Sequence, residues 1–367
     1  MAKNFYLWGW SGQLNAGDDV FAYVVAWGLR HFGKCSRLFM DSDLSGRLSR
    51  QCGIHTAQPM RCRIPGLTRL RRAWCRHQAD CFVLAGGTLL PTLEGTKQLL
   101  ADKHWCRPGK SRIALGLSVW PFQSRHHEDA VANLLGSMDH VAFRDDASFD
   151  WAVSRKLQTR LVRAFDLAVL LPECSSSLGV DRTRHRVLGI SLLASQSQNL
   201  STGLPLDIDI ARQVGASAAH LSNTLGLKVV FFSLSLNKSS DDRIMARAFA
   251  QAFCGGQMEM FEHNGDPVRT FEKVRSCSYV VSMRLHGGIM AFAAGVPFLQ
   301  LEYHPKCRDF ARTIGLAERH RMGMCNFSPE LLNRKLEGLM GCNSVSSVMD
   351  LRSAQDRARL NFCGSAL

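Results

Sequence analysis

With 367 residues, 46% of them hydrophobic and 21% charged, the chain has the length and composition for two packed cores. It contains no run of about 18 uncharged apolar residues, so a membrane-spanning helix is not expected. Lys and Arg exceed Asp and Glu to give a net charge of +14, which favours anionic partners such as phosphorylated substrates or acidic lipid head groups; the lack of a zinc-finger, aromatic RNP or basic-zipper signature argues against nucleic acid.

Phe5 to Trp10 opens the chain as an apolar, aromatic run. One lysine precedes it, and neither a long apolar core segment nor a small-residue cleavage site follows, so it reads as a first strand and not as a signal peptide. A loop rich in Gly, Asn and Asp comes next. Asp18 to Phe32 then places Val20, Val24 and Trp27 at helical spacing. Six arginines, Arg61, Arg63, Arg69, Arg71, Arg72 and Arg76, crowd into the following segment. Charge runs are usually solvated surface, so residues 67–74 are expected to form a helix with a wet basic face that buries Leu67, Leu70 and Trp74. The alternative is a basic amphipathic helix in peripheral contact with a membrane.

Asp80 to Ala85, Arg112 to Leu117 and His140 to Phe143 are short apolar runs. They end in Gly86-Gly87-Thr88, in a loop closed by Pro121, and in Arg144-Asp145-Asp146. Buried strands that run into glycine-rich or charged loops and then helices indicate a parallel sheet. A Ser, Gly and Pro cluster from Pro172 to Gly179 marks a linker. The pattern then restarts with Arg186 to Ser191, Lys228 to Ser233, Met258 to Phe261, Ser278 to Val281 and Phe298 to Leu301. The expectation is an α/β protein of two Rossmann-like domains, 1–172 and 186–330, with a linker at 173–185 and a cleft between the facing strand ends. Residues 331–367 read as a helical segment packing back on the first domain. The 13 cysteines are scattered, odd in number and free of any C-x-x-C pair, which suits buried thiols in a reducing cytoplasm and offers no metal motif.

Three loops carry chemistry. The first, Gly9 to Asp19, lies between a strand and a helix, and it contains Asn15, Gly17, Asp18 and Asp19. A carboxylate there caps free N–H groups, and it can also bind sugar hydroxyls or act as a base on the acceptor side. The loop is not a G-x-G-x-x-G fingerprint, and no G-K-[ST] follows it. In the second, Gly86, Gly87 and Thr88 allow a ligand close to the backbone. The third, Ser282-Met283-Arg284-Leu285-His286-Gly287-Gly288, follows a strand ending at Val281. Arg284 offers a bidentate grip on carboxylate or phosphate, and His286 is of the residue type that can donate or accept a proton. In an extended loop their i, i+2 spacing points both the same way. Gly287 and Gly288 open the following helix, and Lys306 adds a cation after the next strand.

In this order and at this spacing, the motifs resemble the polysaccharide pyruvyl transferase family from about Leu7 to Leu316. Its markers are Asn15-x-Gly17-Asp18, Gly86-Gly87, Gly116 with Pro121, Phe143-Arg144-Asp145 with Ser148, Asp166, and Ser282-x-Arg284-Leu285-His286-Gly287 continuing through Gly295-x-Pro297 to Tyr303-x-x-Lys306. The resemblance implies a glycosyltransferase-B-like pair of domains. It also implies phosphoenolpyruvate as donor substrate, with no cofactor, and a pyruvate ketal formed on a sugar of a surface polysaccharide or its lipid-linked precursor. Carried onto this chain, Arg284 and His286 are expected to lie beside the donor. On side-chain chemistry, Arg284 and Lys306, with Gly287 and Gly288, are the candidates to hold its carboxylate and phosphate, His286 is the candidate general acid, Asp18 or Asp19 the candidate base, and Asn15, Gly17, Gly86, Gly87 and Thr88 the candidates for the acceptor side. The chain departs from the family twice. Ser191-Leu192-Leu193 stands where many members carry an arginine, and Ala85-Gly86-Gly87 replaces a glycine triplet. Two rival readings are a sugar-nucleotide glycosyltransferase, with Glu302 gripping a ribose, and a non-catalytic protein of polysaccharide assembly at the inner membrane face.

Overall fold

The structure is a computed structural model that describes residues 2–40, 44, 46–56, 67–102, 108–119, 121–174, 186–193, 207–238, 240–254 and 256–363. Arg61, Arg63 and residues 175–185 of the expected linker lie outside these. The chain divides into two compact units, Met1–Gln13 with Gly17–Leu170 and Arg352–Leu367, and Leu14–Ala16 with Leu171–Leu351. The first part of the expected linker, Glu173 and Cys174, ends the short helix Leu171–Cys174.

Among the described residues, the first unit holds seven strands: β1 (Lys3–Trp8), β2 (Cys35–Met40), β3 (Ile54–Thr56), β4 (Cys81–Gly87), β5 (Ser111–Leu117), β6 (His140–Phe143) and β7 (Arg160–Arg163). They form one parallel sheet in the order β3-β2-β1-β4-β5-β6-β7. The second unit holds β8 (Val187–Ser191), β9 (Lys228–Ser233), β10 (Met258–Glu262), β11 (Tyr279–Ser282), β12 (Phe298–Glu302) and β13 (Arg321–Gly323), also parallel, in the order β10-β9-β8-β11-β12-β13. The central strands β4 and β8 are buried along their whole length, as expected where helices cover both faces of a parallel sheet. In each unit the strand order reverses beside the first strand, between β1 and β4 and between β8 and β11. Ligands of open α/β sheets bind at such switch points, outside the carboxyl ends of the strands.

Tyr6, Phe82, Leu84 and Phe143 anchor the core of the first unit, and Ile190, Phe231, Val281 and Leu299 that of the second. Burial pushes the thiols of Cys81 and Cys277 up to about 12, so both behave as small hydrophobes. The C-terminal stretch is divided. The helix Pro329–Met340 buries Leu332, Leu336 and Leu339 in the second unit, whereas Arg352 onward belongs to the first. There, Phe362 sits so close over Gly28 that a Cβ on Gly28 would stand 2.1 Å from its ring.

The helix Leu67–Gln78 corrects one expectation. Its inward face carries Cys75, while Leu70 and Trp74 point outward and Leu67 is half-buried. Arg76 fixes this register, since its Nε donates to the Tyr6 hydroxyl at 3.1 Å and its Nη1 to Asp102 at 2.5 Å. The apolar pair therefore shares the solvent side with the exposed arginines.

Two buried histidines set a pH dependence of stability. His140 on β6 donates its Nε2–H to the Asn361 carbonyl at 3.2 Å. Its burial lowers its pKa, the hydrogen bond opposes this, and Arg160 adds to the lowering. Burial also lowers the pKa of His320, with Arg319 and Lys335 contributing. The unfolded chain takes up these protons near pH 6.5, before the folded chain does, so the unfolded state binds more protons in that window. Stability is then full above about pH 6.5, falls as pH drops toward the folded pKa values, and levels off below them. Thermal midpoints measured between about pH 7 and about pH 5 should fall, and should fall less in His320→Gln; an equal fall in both proteins contradicts this assignment.

Candidate functional site

At the carboxyl end of β1 the chain turns through residues 9–13, and the helix Ala16–His31 begins earlier than Asp18, so both Asp18 and Asp19 sit in its first turn. Asp19 is fully buried, and its Oδ1 accepts the Gly12 N–H at 2.6 Å. The Ser11 hydroxyl donates to the Asp18 carbonyl at 2.5 Å. Asp19 is thus a clamp on the loop. Asp18 is half-buried, with its Oδ1 3.7 Å from the place a Cβ on Gly87 would occupy. Gly86 and Gly87 close β4 with φ of 72° and 81°, in the left-handed region, and a Cβ on Gly86 would meet the Phe21 ring at 2.4 Å. That ring in turn carries the Arg144 guanidinium, with Cζ 5.7 Å from its centroid. Arg144 is paired to Asp166 at 3.0 Å, and both side chains are almost fully buried. The structure therefore gathers Asp18, Gly86, Gly87 and Arg144 at the carboxyl ends of β1, β4 and β6. Thr88 follows them, half-buried, and Gly17 is buried in the helix.

Asn15 is placed differently. The segment Leu14–Ala16 belongs to the second unit. There Ala16 N–H donates to Leu234 O at 2.8 Å, Leu236 N–H donates to Leu14 O at 2.9 Å, and Asn15 bridges Ser235 in antiparallel fashion. Its backbone edges the loop that follows β9.

That loop supplies the partner of Arg284. Asp242 is 0% exposed, and its carboxylate accepts Arg284 Nε at 2.6 Å and Nη2 at 2.6 Å. Asp242 Oδ2 also accepts the Ser235 N–H at 3.0 Å. Arg284 Nη2 donates to the Ser240 carbonyl at 3.0 Å as well. The guanidinium, 13% exposed, is locked by a fork-to-fork pair. Two expectations are corrected here. Only Met283 and Arg284 separate β11 from the helix Leu285–Ala293, so Arg284 is the extended N-cap and His286 is already helical. Their i, i+2 relation is not that of an extended loop. Gly287 and Gly288 serve packing: a Cβ on either would stand 2.2 Å from the Ser282 hydroxyl or from the Gln300 amide oxygen. The glycines let this helix lie against β11 and β12. His286 is half-buried in its first turn.

Lys306 opens the helix Pro305–Thr313, where the His304 ring nitrogen caps its N–H at 3.3 Å. Its ammonium lies 5.7 Å from the Tyr303 ring centre. Glu302 at the end of β12 accepts Arg321 Nε at 2.6 Å and has Arg308 within 3.8 Å, so its carboxylate is committed to cations of the same unit. A cavity of about 500 Å3 lies at the other, amino-terminal ends of β8, β9 and β10, among Arg186, Lys228, Glu259 and Lys273, and contains none of the candidates.

A family model described as polysaccharide pyruvyl transferase matches residues 19–305. The chain belongs to the polysaccharide pyruvyl transferase family. It is therefore a transferase of polysaccharide synthesis, and the family implies a polysaccharide acceptor. No curated protein matches it. Among solved structures, a putative UDP-N-acetylglucosamine 2-epimerase from Listeria monocytogenes is similar at TM-score 0.62 and 11% identity, over 97% of this chain and 94% of that one. The S. aureus MnaA-UDP structure is similar at TM-score 0.62 and 11% identity, over 100% and 92%. The UDP-GlcNAc 2-epimerase from Methanocaldococcus jannaschii is similar at TM-score 0.58 and 10% identity, over 99% and 100%. These likenesses show a shared glycosyltransferase-B-like fold.

In this family member the position of the frequent arginine is apolar core. Leu193 is 8% exposed and packs with Leu192 and Ile190 in the second unit. Sequence reasoning did not single out Asp242, and it quoted Arg144 as a marker without assigning it to the site. Arg144 had a signal, a charged residue directly at the end of a buried strand. Asp242 had a weaker one, an acidic pair with Asp241 in the loop after β9. Among the described residues no helix is long and apolar enough to cross a membrane.

Proposed function

We propose that this chain moves the pyruvyl group of phosphoenolpyruvate onto two hydroxyls of a sugar in a polysaccharide or its precursor, forming a cyclic pyruvate ketal and releasing phosphate. The observation that carries the reading is the state of Arg284. Its Nε and Nη2 are spent on Asp242, while its Nη1 has no partner among the described residues. A fixed guanidinium edge at the carboxyl end of β11 suits a small, highly charged anion. Lys306 and the N-terminus of the helix Leu285–Ala293 supply further positive potential. In this scheme His286 gives a proton to the donor's methylene carbon, which becomes a methyl group and leaves an oxocarbenium-like centre. A sugar hydroxyl adds to that centre and loses its proton to a base. The bond to phosphate breaks, and the second hydroxyl closes the ketal as its proton leaves with the released phosphate.

Calorimetric titration with phosphoenolpyruvate, beside UDP-glucose, tests the reading. The wild type should bind phosphoenolpyruvate selectively, and Arg284→Lys, which keeps charge but loses the fork, should bind it about tenfold or more weakly. His286→Asn should bind the donor and fail to turn over. Binding of UDP-glucose in preference to phosphoenolpyruvate overturns the proposal in favour of glycosyl transfer.

A further inference from the structure

The outer face of the helix Leu67–Gln78 is built from a particular mixture. Leu70 is 69% exposed and Trp74 52% exposed. They are four residues apart and so share one face. Arg69, Arg71 and His77 surround them, all exposed, and the helix contains no acidic residue. The Trp74 ring meets Phe39 edge-on, with centroids 5.9 Å apart, so it is held from below while its outer part stays in solvent. Arg76, bound to Tyr6 and Asp102, fixes the helix to the sheet.

We infer that this face docks the protein peripherally on an anionic lipid bilayer. Trp and Leu at the centre of a basic helix face are suited to the head-group boundary, where the ring is half in apolar surroundings and half wet. Arg69 and Arg71 meet lipid phosphates, and a net charge of +14 adds long-range attraction to an anionic leaflet. A helix of this length spans about 18 Å and offers two large apolar side chains. That is small beside the roughly 800 Å2 per partner of a stable protein interface, whereas a bilayer needs shallow insertion and charge alone. The inference is independent of the donor chemistry, so it stands or falls separately from phosphoenolpyruvate binding.

Sedimentation of the full chain with phosphatidylcholine vesicles, with and without phosphatidylglycerol, tests it. The wild type should pellet with the anionic vesicles and not with phosphatidylcholine alone, and added salt should release it. Leu70→Glu, and separately the Arg69→Glu/Arg71→Glu pair, should each weaken binding by about tenfold or more. Leu70 is mostly exposed, so its variant should keep the wild-type thermal midpoint, and the arginine pair provides a second variant whose side chains are outside the core. Failure of the wild type to pellet, equal pelleting on neutral vesicles, or unchanged binding by both variants overturns the inference. So does loss of a self-associated species by Leu70→Glu in sedimentation velocity without lipid, which would assign the face to a second copy of the chain.

Discussion

Asp242→Ala should destabilise the second unit by about 3–5 kcal/mol, because it removes one partner of a buried ion pair and leaves the other charge uncompensated. Against a total stability on the order of 5–15 kcal/mol for a domain, that is a large fraction. The carboxylate is fully buried and accepts hydrogen bonds from Arg284 Nε, Arg284 Nη2 and the Ser235 N–H. Urea unfolding gives the measurement. Asp242→Asn keeps the shape but turns an amide N–H group toward a guanidinium that only donates, so it should lose most of the same stability. The double variant Asp242→Leu/Arg284→Leu removes both charges, and it should recover part of the stability lost by either single change. It should recover no donor affinity, since Arg284 is gone. This split separates the two roles of the pair. If the double variant is as unstable as the sum of the singles, the pair is not coupled as described. If Asp242→Ala binds phosphoenolpyruvate like the wild type, the buried acid does not position the arginine.

The sequence was most legible where burial is complete. β4, β6 and β9 are continuous apolar runs because helices cover both faces of a parallel sheet, and each was found within about two residues of its observed bounds. The strands β2, β3, β7 and β13 were missed. β3 and β13 have three residues each, β7 reads Arg-Leu-Val-Arg with exposed ends, and the first half of β2 faces solvent, so none carries a sustained pattern. Strand order is a tertiary property and was inferred only as a type. The site was legible as motifs and not as geometry. Gly287-Gly288 marked the start of a helix, but Arg284 and His286 are its N-cap and first turn and not an extended loop, and nothing in the spacing showed that the glycines lie against Ser282 and Gln300. The partner of Arg284 lies 42 residues earlier, a distance at which spacing carries no information. The basic helix erred in a different way. Leu67, Leu70 and Trp74 have the spacing of a buried stripe, but spacing alone does not say which face the sheet takes, and Cys75 and Arg76 took it.

Asn361→Ala should cost the first unit about 2–4 kcal/mol, an effect no motif announces. The side chain is fully buried in the turn Leu360–Phe362. Its Oδ1 accepts the Gly116 N–H at 2.6 Å, and its Nδ2 donates to Phe165 O at 3.1 Å and to Ala358 O at 2.7 Å. Gly116 has a φ of 64° in β5 where the register with β6 shifts, so its N–H has left the regular ladder and needs an outside acceptor. Alanine leaves the Gly116 N–H buried without its acceptor, at about 1–3 kcal/mol, and removes the two bonds that the amide donates to Phe165 O and Ala358 O. Asn361→Asp keeps the acceptor for Gly116 but turns a carboxylate oxygen toward two carbonyls, so it should be at least as unstable as alanine at neutral pH and should recover as the acid is protonated. The backbone carbonyl of Asn361 still receives His140 in both variants, so the histidine-linked fall of stability below about pH 6.5 should persist in Asn361→Ala. Urea midpoints at two pH values resolve the two effects. A loss below about 1 kcal/mol would mean that water replaces the amide at Gly116. A full loss would establish that residues more than two hundred positions apart close the sheet of the first unit, and that the C-terminal turn is part of its core.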